Sequence, residues 1–259
     1  MNIVSAGMTV RGAQLVAHAG RVLRALADAP TDGVRIADLV QGSGLQRATV
    51  HRITRALCSE ALAMSLSGGQ RYVLGPLAFE LGLAAARHHP LVARAAPSLD
   101  RLAARTGDTC FLMLRSGQDA VCVDRREGTY PVKALTISIG DRRPLGAAAA
   151  SLALLMSLPS DEREDYLNAN AERIAGYGIL TADVVRTMVA RAIELGFALN
   201  LNNIVPHVSA VGIAIPARVG RPYAALSVSA LTNRMMDSGR HLQVVEWLRE
   251  ESKVIAAML

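Results

Sequence analysis

The chain has 259 residues, which suits one large domain or two ordinary ones, and its 51% hydrophobic content provides for packed cores. The formal net charge of +6 favours a polyanionic partner, although an arginine-rich composition can equally reflect a GC-rich genome. No apolar run approaches the roughly 20 residues of a membrane span, and the first residues are too polar for a signal peptide. We therefore expect a soluble, cytoplasmic protein without a membrane partner.

The first 76 residues predict a winged helix-turn-helix. Residues 1–12 suggest a loose arm, and apolar residues then recur at helical spacing from Leu15 and again around Leu39. A third helix is predicted from Gln46 to Ser59, after a turn that contains Gly44. Alternating residues on both sides of "SGGQ" then predict a β-hairpin, the wing.

The third predicted helix has one apolar face and one basic face. Val50, Ile53 and Leu57 form the apolar face, whereas the opposite face has no carboxylate before Glu60. In a helix-turn-helix, such a face lies in the major groove of DNA, with residues near the helix start close to base edges. The candidate DNA-binding residues are Arg47, Thr49, His51, Arg52 and Arg55 on this helix, with Gln70 and Arg71 at the hairpin.

The rest of the chain predicts a connector and an α+β domain. Helical spacing over residues 77–90 indicates a linker helix, and a second domain follows over residues 91–259. In that domain we predict strands in "TCFLMLRSGQDAVCVDRREG", "VKALTISIG", "FALNL", "HVSAVGIAIPARVG" and "RPYAALSVSAL", with a turn at "RVGRP". Helices are predicted at residues 91–105, in "AAAASLALLMSL", over 160–173 and 182–195, and from 241 to 258.

Four stretches are similar to the isocitrate lyase regulator (IclR) family of bacterial transcription factors. They are "GLQRATVHRITRALCSEALA", "SLDRLAARTGDTCFL", "RRPLGAAAASLALL" and "HVSAVGIAIPARVGRPYAALSVSAL", and the match spans roughly residues 14–258. The resemblance implies a winged helix-turn-helix, a helical connector and a GAF-like α/β effector-binding domain with a curved, mainly antiparallel sheet. It also implies a double-stranded DNA operator, a small organic-acid effector, and a homodimer or dimer of dimers.

The resemblance also implies where an effector binds. The strand period places Ser227 and Ser229 on one face of their strand, which is either an exposed sheet face or a ligand-facing pair. The family binds a carboxylate with two backbone amides at the positions of Ala149 and Ala150, although small residues there also permit close packing. Position by position, the family pocket adds Leu135, Asn200, Val208 and Ala210, and Arg143 falls near the same place.

Some family residues are replaced in this chain. Gly146, Ala148, Ser151 and Leu152 stand where the family has His, Thr, Gly and Lys, and His207 stands where it has Gly. These changes predict a more apolar pocket of different shape, for a small organic acid, either aromatic or aliphatic, rather than a strongly polar two-carbon acid.

Two other classes of protein compete with a DNA-binding regulator. A winged domain can bind a protein partner and read no DNA. An enzyme would need a nucleophile, a base and an orienting group, and we find no GxSxG, HExxH or Walker motif among the 259 residues. Cys58, Cys110 and Cys122 have no zinc-ligand spacing, so we predict three reduced thiols, no metal and no cofactor.

Overall fold

The computed structural model describes residues 12–217 and 220–259. Contacts divide the chain into two compact units, of which unit 1 ends at Pro90 and unit 2 runs from Leu91 to Leu259. All but the last residue of the predicted N-terminal arm lies outside the described residues, as do residues 218 and 219 of the predicted "RVGRP" turn. Each unit has a hydrophobic core of its own.

Unit 1 contains the helices and the hairpin predicted for a winged helix-turn-helix. Their bounds are α1 Gln14–Ala27, α2 Ile36–Ser43, α3 Arg47–Ser59, β1 Ala63–Leu66, β2 Arg71–Leu74 and α4 Pro76–Ala86. Gly44 ends α2 with a φ of 65°, a left-handed conformation that glycine adopts without steric cost, and so lets the chain turn into α3. The core is formed by Val22, Leu26, Leu39, Val50, Ile53, Leu57 and Ala63.

An antiparallel bridge between Val34 and Tyr72 joins the hairpin to the loop before α2, in addition to the pairing of β1 with β2. The N–H of Val34 donates to the carbonyl of Tyr72 at 3.0 Å, and the N–H of Tyr72 donates back at 2.8 Å. Gly33 makes this approach possible, because its φ is 79° and a Cβ there would lie 3.0 Å from the Tyr72 oxygen. The wing is therefore fixed to the loop before α2 by backbone hydrogen bonds.

The connector predicted over residues 77–90 is helical as far as Ala86, the end of α4. None of the α4 residues is buried within unit 1, and Phe79, Leu81 and Leu83 expose more than half of their surface. The described part of unit 1 thus leaves these three apolar side chains of α4 uncovered.

Unit 2 is built on a six-stranded sheet with helices on both faces. Its helices are α5 Leu91–Thr106, α6 Ala149–Met156, α7 Ser160–Ala169, α8 Ala171–Ala175, α9 Ala182–Leu195, α10 Thr232–Met236 and α11 Arg240–Met258. Its strands are β3 Thr109–Ser116, β4 Asp119–Arg126, β5 Arg142–Pro144, β6 Ala198–Leu201, β7 Val208–Ala214 and β8 Ala224–Leu231. The strand order is β5-β4-β3-β8-β7-β6, and every pairing is antiparallel, so the sheet curls into a half-barrel.

The strand period of two assigns the buried side chains to two cores. Leu112, Val211 and Val228 lie on one face and pack with α5 and α11. Phe111 and Ala225 lie on the other face and pack with α6 and α9. This second face carries the predicted serine pair of β8.

The strand predicted over residues 132–140 does not form, and that prediction was wrong. The carbonyls of Thr136 and Ile137 accept hydrogen bonds from the guanidinium groups of Arg143 and Arg125 instead of from a neighbouring strand. The edge of β4 pairs with the short strand β5 at Asp119–Val121. Alternating apolar residues indicated a strand here, but arginines from other segments hold the backbone in an irregular loop.

Gly212 of β7 lets the start of α6 lie directly on the sheet. A Cβ at this position would lie 2.5 Å from the carbonyl carbon of Ala149 and 2.8 Å from the nitrogen of Ala150. Gly212→Ala should therefore push α6 away from the sheet and destabilise unit 2 by about 1–3 kcal/mol, the usual cost of overpacking. We expect a lower urea midpoint, measured by the fluorescence of the single tryptophan, Trp247 of α11.

Gly82→Ala is the matched control, because a Cβ at this α4 position meets nothing within 4 Å. It should leave the Trp247 transition unchanged. Equal midpoints for Gly212→Ala and the wild type would show that the close approach at Gly212 does not limit packing.

Candidate nucleic-acid interface and ligand cavity

The predicted basic face of α3 is exposed, and its apolar face is buried. Val50 and Ile53 are 0% and 2% exposed and hold the helix in the core of unit 1. Arg47, Arg52 and Arg55 are exposed and form no ion pair within the described residues, His51 is exposed, and Thr49 is half-buried. These side chains are therefore available to an external partner.

An open depression lies between α2, α3 and the hairpin. Its lining residues are Arg35, Ile36, Ala37, Arg47, His51, Gly69, Gln70 and Tyr72. Arg35 was missed by the sequence reasoning. It precedes α2, where Ser, Thr, Asp or Asn is preferred, and its N–H donates to Asp38 Oδ2 at 2.8 Å. Arg35 and Arg47 contribute two guanidinium groups to this depression, which the predicted contact Gln70 also lines.

Arg71, a predicted DNA contact of the hairpin, forms contacts within unit 1. Its Nη1 donates to the carbonyl of Gly33 at 2.6 Å and lies 3.0 Å from Asp32 Oδ2. The guanidinium thus holds β2 against the loop before α2, next to the Val34–Tyr72 pairing. From these contacts we infer that Arg71 positions the wing, and its contact with DNA stays a prediction.

Unit 2 contains a cavity between the second face of the sheet and the start of α6. It is lined by Phe111, Met113, Thr136, Ile137, Arg143, Ala148, Ala149, Ala150, Asn200, Ile204, Val205, Val208, Ala210, Ser227 and Ser229. Eight of the nine residues predicted for the effector line this cavity. Leu135 does not, because its side chain is 50% exposed and the next two residues, Thr136 and Ile137, face the cavity instead.

Strand register brings the predicted polar residues together on the second face of the sheet, which forms the floor of the cavity. Ser227 pairs with Phe111 of β3 and Gly212 of β7, and Ser229 pairs with Ala210, which in turn pairs with Asn200 of β6. The alternation of β3 could have identified Phe111 and Met113 from sequence, once β3 was placed beside β8. Ile204 and Val205 lie in the irregular loop between β6 and β7, where no periodic pattern marks the side that a residue faces.

The first turn of α6 supplies backbone donors to the cavity. The hydroxyl of Ser151 accepts from the N–H of Ala148 at 2.8 Å, whereas the N–H groups of Ala149 and Ala150 have no partner within the described residues. The first turn contains no acidic residue, so the positive end of the helix dipole is not neutralised by its own side chains. Such a helix start attracts an anion.

Arg143 adds a cation to the cavity wall. Its guanidinium donates to the carbonyl of Thr136 and lies over the Tyr177 ring, 5.6 Å from its centroid. It forms no ion pair with a described carboxylate, and burial lowers the pKa of the Arg143 guanidinium. The cavity therefore holds a partly desolvated cation and several donors, and none of its described lining residues is acidic.

Within residues 12–217 and 220–259, no group of three His, Cys, Asp or Glu side chains is arranged to hold a metal ion. Over the same residues, no helix is both long enough and apolar enough to cross a membrane. Cys58, Cys110 and Cys122 are unpaired thiols.

Family models match both parts of this chain. Residues 15–62 match the IclR helix-turn-helix domain, and residues 83–257 match the C-terminal domain of bacterial IclR transcriptional regulators. The chain belongs to the IclR family. Its members regulate transcription by binding DNA. In this IclR protein, the depression beside α3 lies largely in the part that matches the helix-turn-helix domain, and the cavity of unit 2 lies in the part that matches the C-terminal domain.

Several curated regulators are similar over most of their length. The HTH-type transcriptional regulator KipR of Bacillus subtilis is 25% identical and covers 78% of this chain and 80% of its own. The probable transcriptional regulator SauR of Cupriavidus necator is 29% identical, with coverage of 84% and 86%.

Solved structures share the fold at lower identity. An IclR regulator from Alicyclobacillus acidocaldarius has a TM-score of 0.75 at 22% identity, covering 96% of this chain and 99% of its own. An IclR homologue from Microbacterium hydrocarbonoxydans, solved with 4-hydroxybenzoate, has a TM-score of 0.68 at 21% identity, with coverage of 94% and 98%.

The wing-positioning role of Arg71 predicts a local change in Arg71→Ala. Amide hydrogen exchange at Val34 and Tyr72 should become about fivefold faster, because a partly exposed hydrogen bond from a charged group contributes about 1 kcal/mol. Arg55→Ala is the control, since the exposed Arg55 has no ion pair among the described residues and should leave these exchange rates unchanged. Unchanged exchange in Arg71→Ala, together with a loss of DNA affinity, would return Arg71 to the DNA-contacting residues.

Proposed function

We propose that this IclR-family regulator reads an operator through the start of α3 and that a small organic acid, bound in the cavity of unit 2, controls its affinity for DNA. The observation that supports an acid as the ligand is the set of residues that line the cavity. Amide donors of Ala149 and Ala150, the hydroxyls of Ser227 and Ser229, and the Arg143 cation meet there without an acidic side chain among the described lining residues.

The start of α3 has suitable side chains for a polyanion that carries sequence information. Arg47 can donate two N–H groups of its guanidinium to guanine O6 and N7, and His51 on the same stripe of α3 and Thr49 flanking it can make further base contacts. Arg52 and Arg55 lie further round the exposed surface, where phosphate contacts are expected. Gln70 at the wing, with Arg35 beside it, extends this surface towards a flanking phosphate.

A carboxylate is the group that best fits the start of α6. Two unpartnered backbone N–H groups and the positive end of the helix dipole bind an anion, and serine hydroxyls can donate to the same oxygens. Phe111, Met113, Ile204 and Val205 provide apolar contacts for the remainder of an organic acid. The structural neighbour with 4-hydroxybenzoate supports this class of ligand, because that molecule combines a carboxylate with an aromatic ring.

We propose a binding role for the serine pair rather than a catalytic one. No histidine or carboxylate is among the described residues that line the cavity, so neither Ser227 nor Ser229 has a base beside it there. The relatives are named as regulators.

An acid that binds one conformation of a homodimer or dimer of dimers more tightly would shift the population of DNA-competent molecules, as linkage requires.

Arg47→Ala tests the DNA-reading proposal. On duplexes selected from a random pool by the wild-type protein, it should weaken binding by about 1–3 kcal/mol and relax the preference at one base pair. Arg87→Ala removes the same charge from an exposed position at the end of α4 and should preserve the base preference. Equal sequence preferences for the wild type and Arg47→Ala, measured by fluorescence anisotropy, would contradict this placement of α3.

The double variant Ser227→Ala, Ser229→Ala tests the acid site. In a thermal-shift screen of organic acids, a bound acid should raise the wild-type melting temperature, because it binds the native state. The double variant should lose this shift and still bind DNA when no acid is present. Ser209→Ala is the matched control, since Ser209 is equally buried but alternates to the opposite sheet face. A full shift in the double variant would place the acid elsewhere.

A further inference from the structure

The segment that joins α8 to α9, residues 176–181, contacts two walls of the unit 2 cavity that come from opposite edges of the sheet. Arg143 lies on β5 and Ile204 lies in the loop after β6, and these are the two edge strands of the six-stranded order. On one side, the ring of Tyr177 lies against the guanidinium of Arg143, 5.6 Å from ring centroid to guanidinium carbon. On the other side, the segment touches the backbone of Ile204. The α8–α9 segment therefore bridges the two edges.

Gly178 lets the α8–α9 segment pack directly on the loop between β6 and β7. Its φ is 59°, and a Cβ at this position would lie 2.2 Å from the carbonyl oxygen of Asn203 and 2.8 Å from the Cα of Ile204. The N–H of Ile179 donates to the same carbonyl of Asn203 at 3.0 Å. Both atoms that a Cβ would meet belong to the backbone, which cannot move aside as the end of a flexible side chain can. A side chain at position 178 must therefore displace the loop.

The cavity lies on the other side of this loop. Ile204 and Val205 line the cavity, whereas residues 176–181 are not among its described lining residues. Gly178 meets the backbone of Ile204, and the side chain of Ile204 lines the cavity, so this backbone lies between Gly178 and the cavity. A shift of the loop away from position 178 therefore moves the Ile204 wall inward and narrows the cavity.

The same segment holds the opposite wall. The guanidinium of Arg143 donates to the carbonyl of Thr136 and lies over Tyr177, which packs against the second core of unit 2 as Ile204 does. The segment is anchored in that core by Leu180, which is 2% exposed and whose N–H donates to the carbonyl of Tyr177 at 3.1 Å. The distance between the two walls is thus held from outside the cavity, by the α8–α9 segment.

We infer that Gly178 determines the size of the acid that the cavity accepts, because it sets how far the Ile204 wall lies from Arg143. This inference rests on the proposed acid site and adds a limit on the bulk of its ligand. Gly178 is a positioning residue, since it acts through Ile204 and does not line the cavity. With glycine at position 178 the cavity has room for an acid that carries a ring, and with a larger residue there it favours a small aliphatic acid.

Benzoate and propionate test the inference by isothermal titration calorimetry of the full chain, because both carry one carboxylate and they differ in bulk. The wild type should bind benzoate more tightly than propionate, since the ring buries more apolar surface. Gly178→Ala should lower this preference fivefold or more. Ile204→Ala removes bulk from the displaced wall, so the double variant Gly178→Ala, Ile204→Ala should return the preference to within about twofold of the wild type.

Gly117→Ala is the matched control. Gly117 lies between β3 and β4 with a φ of 64°, close to that of Gly178, but a Cβ there meets nothing within 4 Å. This variant therefore adds the same backbone strain without displacing a neighbour, and it should keep the wild-type preference. An unchanged preference in Gly178→Ala, or no recovery in the double variant, would overturn the inference and leave the acid site intact.

Ile204→Ala alone decides the matter if Gly178→Ala shows no cooperative urea transition in Trp247 fluorescence. A wall with less bulk gives the larger acid more room, so the preference for benzoate should rise threefold or more. An unchanged preference would show that this wall does not limit the ligand and would overturn the inference. If the wild type binds neither acid, both the acid site and the inference are wrong.

Discussion

The close approach of α6 to the sheet at Gly212 determines what unit 2 can bind. Because this position has no side chain, the first turn of α6 lies on β7, beside the register partner of Gly212, Ser227. Ser151 satisfies the N–H of Ala148, whereas the N–H groups of Ala149 and Ala150 have no partner within the described residues. A larger residue at 212 would lift the helix and separate these amides from the hydroxyls of the floor. The proposed anion site thus depends on a backbone contact rather than on a cationic side chain alone.

Unit 1 also has unpaired donors, but there they are the exposed basic side chains of α3. Burial of Val50 and Ile53 fixes which face of α3 points outward, and the wing is fixed by the Val34–Tyr72 pairing and by Arg71. Arg47, Arg52 and Arg55 remain available to a partner, because none of them forms an ion pair with a described carboxylate. In both units, hydrogen-bond donors lie where the described lining residues include no acid. The proposed partners differ in what they require, since DNA phosphates need an exposed surface and a small acid needs a cavity.

The sequence predicted the parts of the structure that follow from periodic patterns. Helical spacing predicted α1, α3 and α11, and strand alternation placed Ser227 and Ser229 together on the cavity floor. It failed where the backbone is held by distant side chains. Residues 132–140 alternate like a strand, but Arg125 and Arg143 bind their carbonyls, and the same loop turns Leu135 away from the cavity. The contacts of Arg71 could not be predicted, because its partners, Asp32 and Gly33, are almost forty residues earlier.

The central claim is that an acid binds at the first turn of α6, and the amides of that turn report on it most directly. In a chain labelled with 15N-alanine, titration with 4-hydroxybenzoate, the acid present in one structural neighbour, should shift the amide resonances of Ala149 and Ala150 with a single saturating curve. Alanines of unit 1 that lie far from any acid site, such as Ala25 of α1, provide the reference. The account predicts downfield proton shifts at Ala149 and Ala150, because their N–H groups would donate to a carboxylate. Saturable binding of the acid with both resonances unmoved would contradict it.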